Sequence, residues 1–536
     1  MARAAPFCLQ DRAVWLLRIF LAKLRQNEEK MNIFSDFWRN KKQFLFRATF
    51  IVALGTLCCS SAWADPADKF TQDGHTRQYL AQNSRVKVDD YNDSAAAKKQ
   101  VQRLIKEVQR ARGLHFKEAV NCHFCTQSEA GRYLVEANKK ASKPYVQGRR
   151  DLFFHHLGLL ENGQTFQNYS DLLYSEQVRG LYDTINKILL VVTDILQEPK
   201  LDGMLGKILS QFNIDLSDLL LVHELCHALQ DQNFDLGQKL LQADGSLDKE
   251  LALTAVAEGD ATQTMFDYLA SSMGLSGETV TKYVVGSPKL IEKGINQFPQ
   301  LEQAPLIVRA ITLMPYLSGL EFCQTIQEQQ GLRGINNAFA EPPVSTEHVL
   351  HPFKHLKKVD LPKNIDLSAL PKSFGNYVSL GDDTAGEYVI RTWAEKFLST
   401  QSMAVARGWG GDTWRVYSQA YESYGLDDKG QPIADTIKTS DGQQNNDDKK
   451  SIDNKTKTTE TVAAAKSKNR DSFTIWATVW DSEGDAQEFV RAVKQSGLKA
   501  EIMAKDRSVI VLLNVPNSQI KAVRKALAKP SVLVRG

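Results

Sequence analysis

The sequence predicts an α+β fold, mainly α, on three observations. Apolar segments of helix length fill residues 217–232, 246–273 and 300–332. A short β-branched run, Ile188 to Val192, stands behind a turn signal. The last part of the chain alternates strand-like and helix-like stretches. The 536 residues are 43% hydrophobic and 24% charged, which excludes collagen-like, wholly disordered and polytopic membrane chains.

Residues 1–64 read as a leader. Arg39, Lys41, Lys42 and Arg47 precede an apolar run from Ala48 to Cys59, and Ala62-Trp63-Ala64 places small residues at −3 and −1, the pattern of a cleavable export signal. The run is too short for a stable membrane anchor, so the expected mature chain begins at Asp65, is exported to a periplasmic or extracellular location and keeps no membrane span. Met31 is an alternative start. The leader holds ten Lys/Arg against four Asp/Glu, so a net charge of +3 for the whole chain becomes −3 for residues 65–536. No basic surplus is left to recruit nucleic acid.

The mature chain divides into three expected regions. In residues 65–172, Val101, Leu104, Ile105 and Val108 share one helical face, and Thr126-Gln127-Ser128-Glu129 opens a second helix, giving an N-terminal helical layer. Residues 173–370 hold the Ile188 to Val192 strand and two long helices, one around Leu219 to Gln232 and one from about Ser246 to Met273, stopped by Gly274. Residues 371–536 begin with a helix from Thr384 to Leu398 and a strand at Trp414 to Tyr417. Residues 427–470 then lose periodicity and fill with Asp, Lys, Thr, Gln and Asn, the composition of a disordered insertion. A strand (Phe473 to Trp480), a helix (483–497), two strands (499–504 and 507–513) and a helix (516–528) complete a small C-terminal α+β unit.

Four of the seven cysteines, Cys122, Cys125, Cys226 and Cys323, fall after the leader, too few for a disulfide scaffold. Cys122-His123-Phe124-Cys125 lacks the second pair of a zinc knuckle, and Thr126 stands where haem attachment needs His. It reads as a local disulfide or a plain pair of thiols.

Residues 223–227 read His-Glu-Leu-Cys-His. On a helix, positions i and i+4 lie on one face about 6 Å apart along the axis, so His223 and His227 can offer nitrogens to one metal. Glu224 is placed to act as general base on a water beside a zinc ion. Such a motif arises by chance on the order of once in a hundred sequences of this length and composition. Here it lies among Leu220, Leu221, Val222, Leu225 and Leu229, where burying three ionisable groups is costly unless they share a partner. Gln230 and Asn233 stand where a continued His-x-x-Gly-x-x-His pattern needs Gly and His, which leaves the third ligand to another element. Glu258, in Ala257-Glu258-Gly259-Asp260-Ala261, is the choice, with Gly259 and Ala261 expected to let its helix approach the histidine helix. Asp260 reads either as a second layer behind a ligand histidine or as an ordinary polar residue, and Cys226 as a small buried hydrophobe.

His223, Glu224 and His227, followed on a later helix by Glu258-Gly259-x-Ala261, resemble the gluzincins, zinc peptidases with two His and one Glu ligand. The wider run at 223–232, His-Glu-Leu-Cys-His-Ala-Leu-Gln-Asp-Gln, is similar to a group of exported bacterial putative metallopeptidases. The similarity covers roughly residues 175–270, with weaker echoes at Ser345 to Pro352 and Gly408 to Phe489. The 31 residues from His227 to Glu258 exceed the thermolysin-like spacing. The resemblance implies a zincin-like lobe at 173–370, one Zn2+ per chain, a peptide or protein substrate, and Ile188 to Val192 as an edge strand along which it could lie. A zinc peptidase also needs an oxyanion donor. His348, His351, His355, Tyr388, Arg391 and Tyr417 are candidates, and His351, beside Pro352, is the first choice. The rival expectations are an exported zinc-binding assembly protein without turnover and a non-peptidic metallohydrolase.

Overall fold

A computed structural model describes residues 94–141, 143–169, 180–193, 215–243, 245–286, 299–398, 402–433 and 472–528. The leader, the Asp65 start and residues 434–470 of the expected insertion lie outside the described residues. The fold is α+β and mainly α, as the sequence predicts.

Helix α1 (Ser94–Arg112) turns Val101, Leu104 and Val108 into a core against the histidine helix. Strand β1 (Cys122–Cys125) follows, then α2 (Gln127–Ala141) and α3 (Pro144–His156). Strand β2 (Gly180–Asp183) and β3 (Ile188–Val192) complete a three-stranded sheet in the order β1-β3-β2, β1 parallel and β2 antiparallel to β3. The expected edge strand is therefore the central one, because the Cys-His-Phe-Cys segment pairs with its other side, Cys122 opposite Leu189 and Cys125 opposite Val192. In an extended strand residues i and i+3 point to opposite faces. Cys122 and Cys125 are accordingly free thiols, not a local disulfide.

Next come α4 (Leu216–Phe234), α5 (Leu236–Ala243), α6 (Leu247–Ser272), α7 (Gly277–Val285), the short α8 (Pro299–Gln303) and α9 (Leu306–Ala340), broken at Gly331. Among the described residues α9 alone is long and apolar enough to cross a membrane. Here it packs along α6. Pro342-Pro343 ends it, and α10 (Thr346–Leu350) and α11 (Pro352–Lys357) lead to β4 (Ser373–Phe374), β5 (Tyr377–Asp383), α12 (Gly386–Leu398) and α13 (Ser402–Ala406).

The remaining elements are β6 (Trp409–Ser418), β7 (Ser472–Trp480), α14 (Glu483–Gln495), β8 (Ala500–Lys505), β9 (Ser508–Leu513) and α15 (Asn517–Leu527). They complete a six-stranded sheet ordered β4-β5-β6-β7-β9-β8, antiparallel throughout. Strands β6 and β7 pair from Trp409–Trp480 to Ser418–Ser472, so the chain leaves and re-enters the sheet at adjacent points. Residues 427–433, expected to open the disordered insertion, form a turn closed by a Leu426–Pro432 bridge. One hydrophobic core takes residues from all three expected regions: Phe153 of α3 stacks on Trp414 of β6 at 4.2 Å, and Val256, Ile311, Trp476 and Phe489 belong to the same cluster. Trp409, Trp414 and Trp480 are core residues.

Candidate metal centre

Helix α4 starts where Asp215 accepts the Ser217 N–H (3.0 Å) and ends at Asp235 in the left-handed region. His223 and His227 thus lie mid-helix, facing α6. Helix α6 is capped by Ser246, which accepts the Lys249 N–H, and carries Glu258 near its middle. The four residues His223, Glu224, His227 and Glu258 are each at most 5% exposed.

Three donor atoms converge. His223 Nε2 lies 3.1 Å from Glu258 Oε2, His227 Nε2 lies 3.0 Å from His223 Nε2, and His227 Nε2 lies 3.4 Å from Glu258 Oε2. Tetrahedral zinc with bonds of about 2.0–2.1 Å needs its ligand atoms about 3.3 Å apart, close to the spacing of these three atoms. Burial alone would lower His227, but the Glu258 carboxylate, helped by Glu224 and Gln230, outweighs it and raises the imidazole to about 9. Burial likewise pushes Glu258 up, and the two imidazoles pull it down to about 2. The trio therefore attracts one positive charge, for which a proton and a metal ion compete.

Glu224 does not join the trio. Its Oε2 accepts the Tyr182 N–H of β2 (2.8 Å), while the Tyr182 hydroxyl donates to Asp231 Oδ2 (3.0 Å) on the same helix. Asp231 Oδ1 also accepts the Gly237 N–H, tying β2, α4 and α5 together.

Gln230, which the sequence offered only as a missing glycine, accepts from His227: its Oε1 lies 2.9 Å from Nδ1. Its amide donates to Asp260 Oδ2 (2.8 Å) and to the Ala257 carbonyl (3.0 Å). Asp260 is ion-paired with Arg112 of α1 at 2.8 Å, both buried. It contacts no histidine directly and stands behind His227 at one remove, through Gln230. Gly259 does not face the histidine helix as expected: a Cβ there would meet Gly319 O of α9 at 2.2 Å, while Ala261 packs in the α4 core. Cys226 is buried, and burial pushes its thiol well up, as for an inert hydrophobe.

His351 is not brought to this cluster. It pairs with Glu387 at 3.0 Å. Its segment is moored where the Thr346 N–H donates to Asp248 (2.9 Å), ten residues and about 15 Å before Glu258 along α6. His348 contacts the Val359 carbonyl, Tyr388 donates to Ala310 O and Tyr417 to Pro371 O. His155 and His156 are likewise engaged elsewhere, His155 with the Leu160 and Gln164 carbonyls, His156 with Thr474 and Ser472. Tyr316 of α9 is buried with its ring 6.4 Å from that of His223. Nothing in its local sequence marks it. Comparison with protein-family models, curated proteins and solved structures finds no match to this chain.

Proposed function

We propose that the protein is an exported zinc-dependent peptidase, and the observation that carries this reading is the convergence of His223 Nε2, His227 Nε2 and Glu258 Oε2 within 3.4 Å. Two neutral imidazoles and one carboxylate are a donor set that would suit zinc. Bound there, zinc supplies Lewis acidity and makes water acidic enough to lose a proton near neutral pH. The ligands leave Glu224, next to His223 and outside the trio, to receive that proton and deliver it to the leaving amine. The Tyr182 N–H fixes the orientation of its carboxylate. Tyr316, whose ring lies 6.4 Å from that of His223, is the side chain to which this reading assigns the donor for charge developing there.

The test separates the two glutamates on the full mature chain. Glu224→Gln keeps an oxygen for the Tyr182 N–H but loses the base, so zinc should stay near one per chain while chelator-sensitive cleavage of a peptide library falls to background. Glu258→Ala should lose the metal itself. Zinc held as tightly by Glu258→Ala as by the parent would mean a different ligand set. An active Glu224→Gln, or a zinc-loaded parent that cleaves no peptide, would favour the assembly-protein or non-peptidic reading.

A further inference from the structure

We propose that Gln230, held in place by Asp260 and Arg112, is a positioning residue that fixes His227 in the tautomer able to ligate a metal. The inference rests on the zinc reading above and assigns a role to the N-terminal helical layer, which that reading leaves idle.

Proton bookkeeping settles the direction of each bond. The Gln230 nitrogen faces Asp260 Oδ2 at 2.8 Å and Ala257 O at 3.0 Å. Both are acceptors, so the group facing them must be the NH2 end. The amide then has only its oxygen left for His227 Nδ1, 2.9 Å away, and Nδ1 must carry hydrogen. Nε2 of the neutral ring is thereby left with its lone pair, directed at His223 Nε2 and Glu258 Oε2. A water or a rotatable hydroxyl at position 230 could accept or donate, and would leave the ring free to take either tautomer.

The arrangement is anchored from outside the metal helices. Asp260 holds the amide, and Arg112 Nε holds Asp260 at 2.8 Å. A further guanidinium nitrogen donates to Asn336 Oδ1 of α9 at 3.0 Å. Gln230, Asp260 and Arg112 are each at most 2% exposed, so no solvent competes for these bonds. The interposed amide also matters electrically. A carboxylate directly on Nδ1 would draw its proton and add negative charge beside Glu258, whereas the amide passes on position and leaves the Asp260 charge with Arg112. The device serves one ligand only: among the described residues His223 Nδ1 is buried without a hydrogen-bond partner.

The experiment compares four full mature chains: the parent, Gln230→Met, Gln230→Glu, and Gln230→Glu combined with Asp260→Asn. Zinc dissociation constants come from chelator competition, and the cobalt(II)-substituted forms give absorption spectra that report ligand geometry. Gln230→Met keeps the volume and removes the acceptor, so zinc affinity should fall by about 10- to 100-fold, the usual cost of losing a partner behind a ligand. The cobalt band should shift as well. Gln230→Glu sets two carboxylates against each other and should fall at least as far. The combined exchange restores a donor at 260 and an acceptor at 230 and should recover part of the affinity and spectrum lost in Gln230→Glu, the remainder staying lost because a carboxylate now sits on Nδ1 and Arg112 has lost its ion-pair partner. A residue serving only as a fold staple would lower the melting temperature without moving the cobalt spectrum of the folded fraction.

A zinc-binding parent with Gln230→Met equal to it in affinity and spectrum overturns the relay. So does a combined exchange no better than Gln230→Glu. A parent that binds no zinc overturns the peptidase reading, and the relay falls with it.

Discussion

Replacing Gly259 with Ala tests whether helices α6 and α9 touch backbone to backbone. The new Cβ would lie 2.2 Å from Gly319 O and 2.8 Å from the Leu320 nitrogen, and ordinary contact begins near 3.4 Å. Both obstacles are main chain, so no rotamer change relieves the clash and the helices must part by about 1 Å. A gap of that size forfeits roughly a quarter to a half of each dispersion contact across the seam. Over-packing typically costs about 1–3 kcal/mol, and the clash with fixed backbone places this site at the upper end. The better helix propensity of Ala offsets about 1 kcal/mol, leaving a net loss of about 2 kcal/mol. Gly484→Ala is the control: it lies exposed in the first turn of α14, and its nearest neighbour would be Ser482 Oγ at 3.4 Å. It should leave stability unchanged or slightly improved. Urea unfolding of both variants followed by circular dichroism measures the difference. On the peptidase reading proposed above, His223, His227 and Glu258 belong to α4 and α6, so zinc content should survive in Gly259→Ala while peptide cleavage falls as α9 carries Tyr316 away from His223. A Gly259→Ala chain as stable as the parent would refute the close approach.

Two further outcomes are expected. Tyr316→Phe should lower turnover by about 10²- to 10³-fold, the scale of losing one transition-state donor, with zinc content unchanged; unaltered kinetics would place the donor elsewhere. His156, bonded to the Thr474 and Ser472 hydroxyls, is held neutral mainly by burial, with His155 adding to the effect, and is lowered to about 3. Below the ordinary histidine value of about 6.5 the unfolded chain takes up a proton that the folded chain refuses, so stability is lost as pH falls from about 6.5 toward 3. By pH 5 the loss is about 2 kcal/mol at roughly 1.4 kcal/mol per pH unit. Urea midpoints at pH 7 and pH 5 should diverge less in His156→Gln than in the parent, and equal slopes would show that His156 titrates freely.

Much of the fold was legible because local chemistry announced it. Ser246 and Gly274 bound α6 as the sequence suggests, and the His-x-x-x-His spacing places two nitrogens on one face whatever the neighbours are; the Asp215 cap of α4 emerges only in the structure. Helix α3 escaped notice because it is buried on nearly every side, and Arg149 and Arg150, which look like surface residues, pair with buried Asp383 and Glu250. The partner of β3 lies more than sixty residues upstream, and nothing local to Ile188 to Val192 signals it. Glu258 does lie against His223 and His227, whereas its glycine neighbour faces α9 and not the expected helix. Spacing gives the angle of a side chain around its own axis, not the identity of whatever packs there. His351 was favoured because a proline follows it, a local feature that says nothing about distance from α4.

The position of the candidate site follows from the way α6 is shared. Its first half, including Leu251, Ala252, Leu253, Ala255, Val256 and Ala257, belongs to the core built with the six-stranded sheet. Its second half, with Ala261, Met265, Phe266 and Leu269, belongs to the core built with α1 and α4. Membership changes across Glu258, Gly259 and Asp260. An isolated carboxylate in the middle of either core would carry a heavy desolvation cost. At the seam Glu258 meets His223 and His227, Asp260 meets Arg112 and Gln230, and Gly259 lets α9 close over them. Two apolar cores gripping one helix from opposite ends hold this polar stretch still. Such double anchoring would suit the proposed metal centre, whose ligands must be held to a few tenths of an ångström.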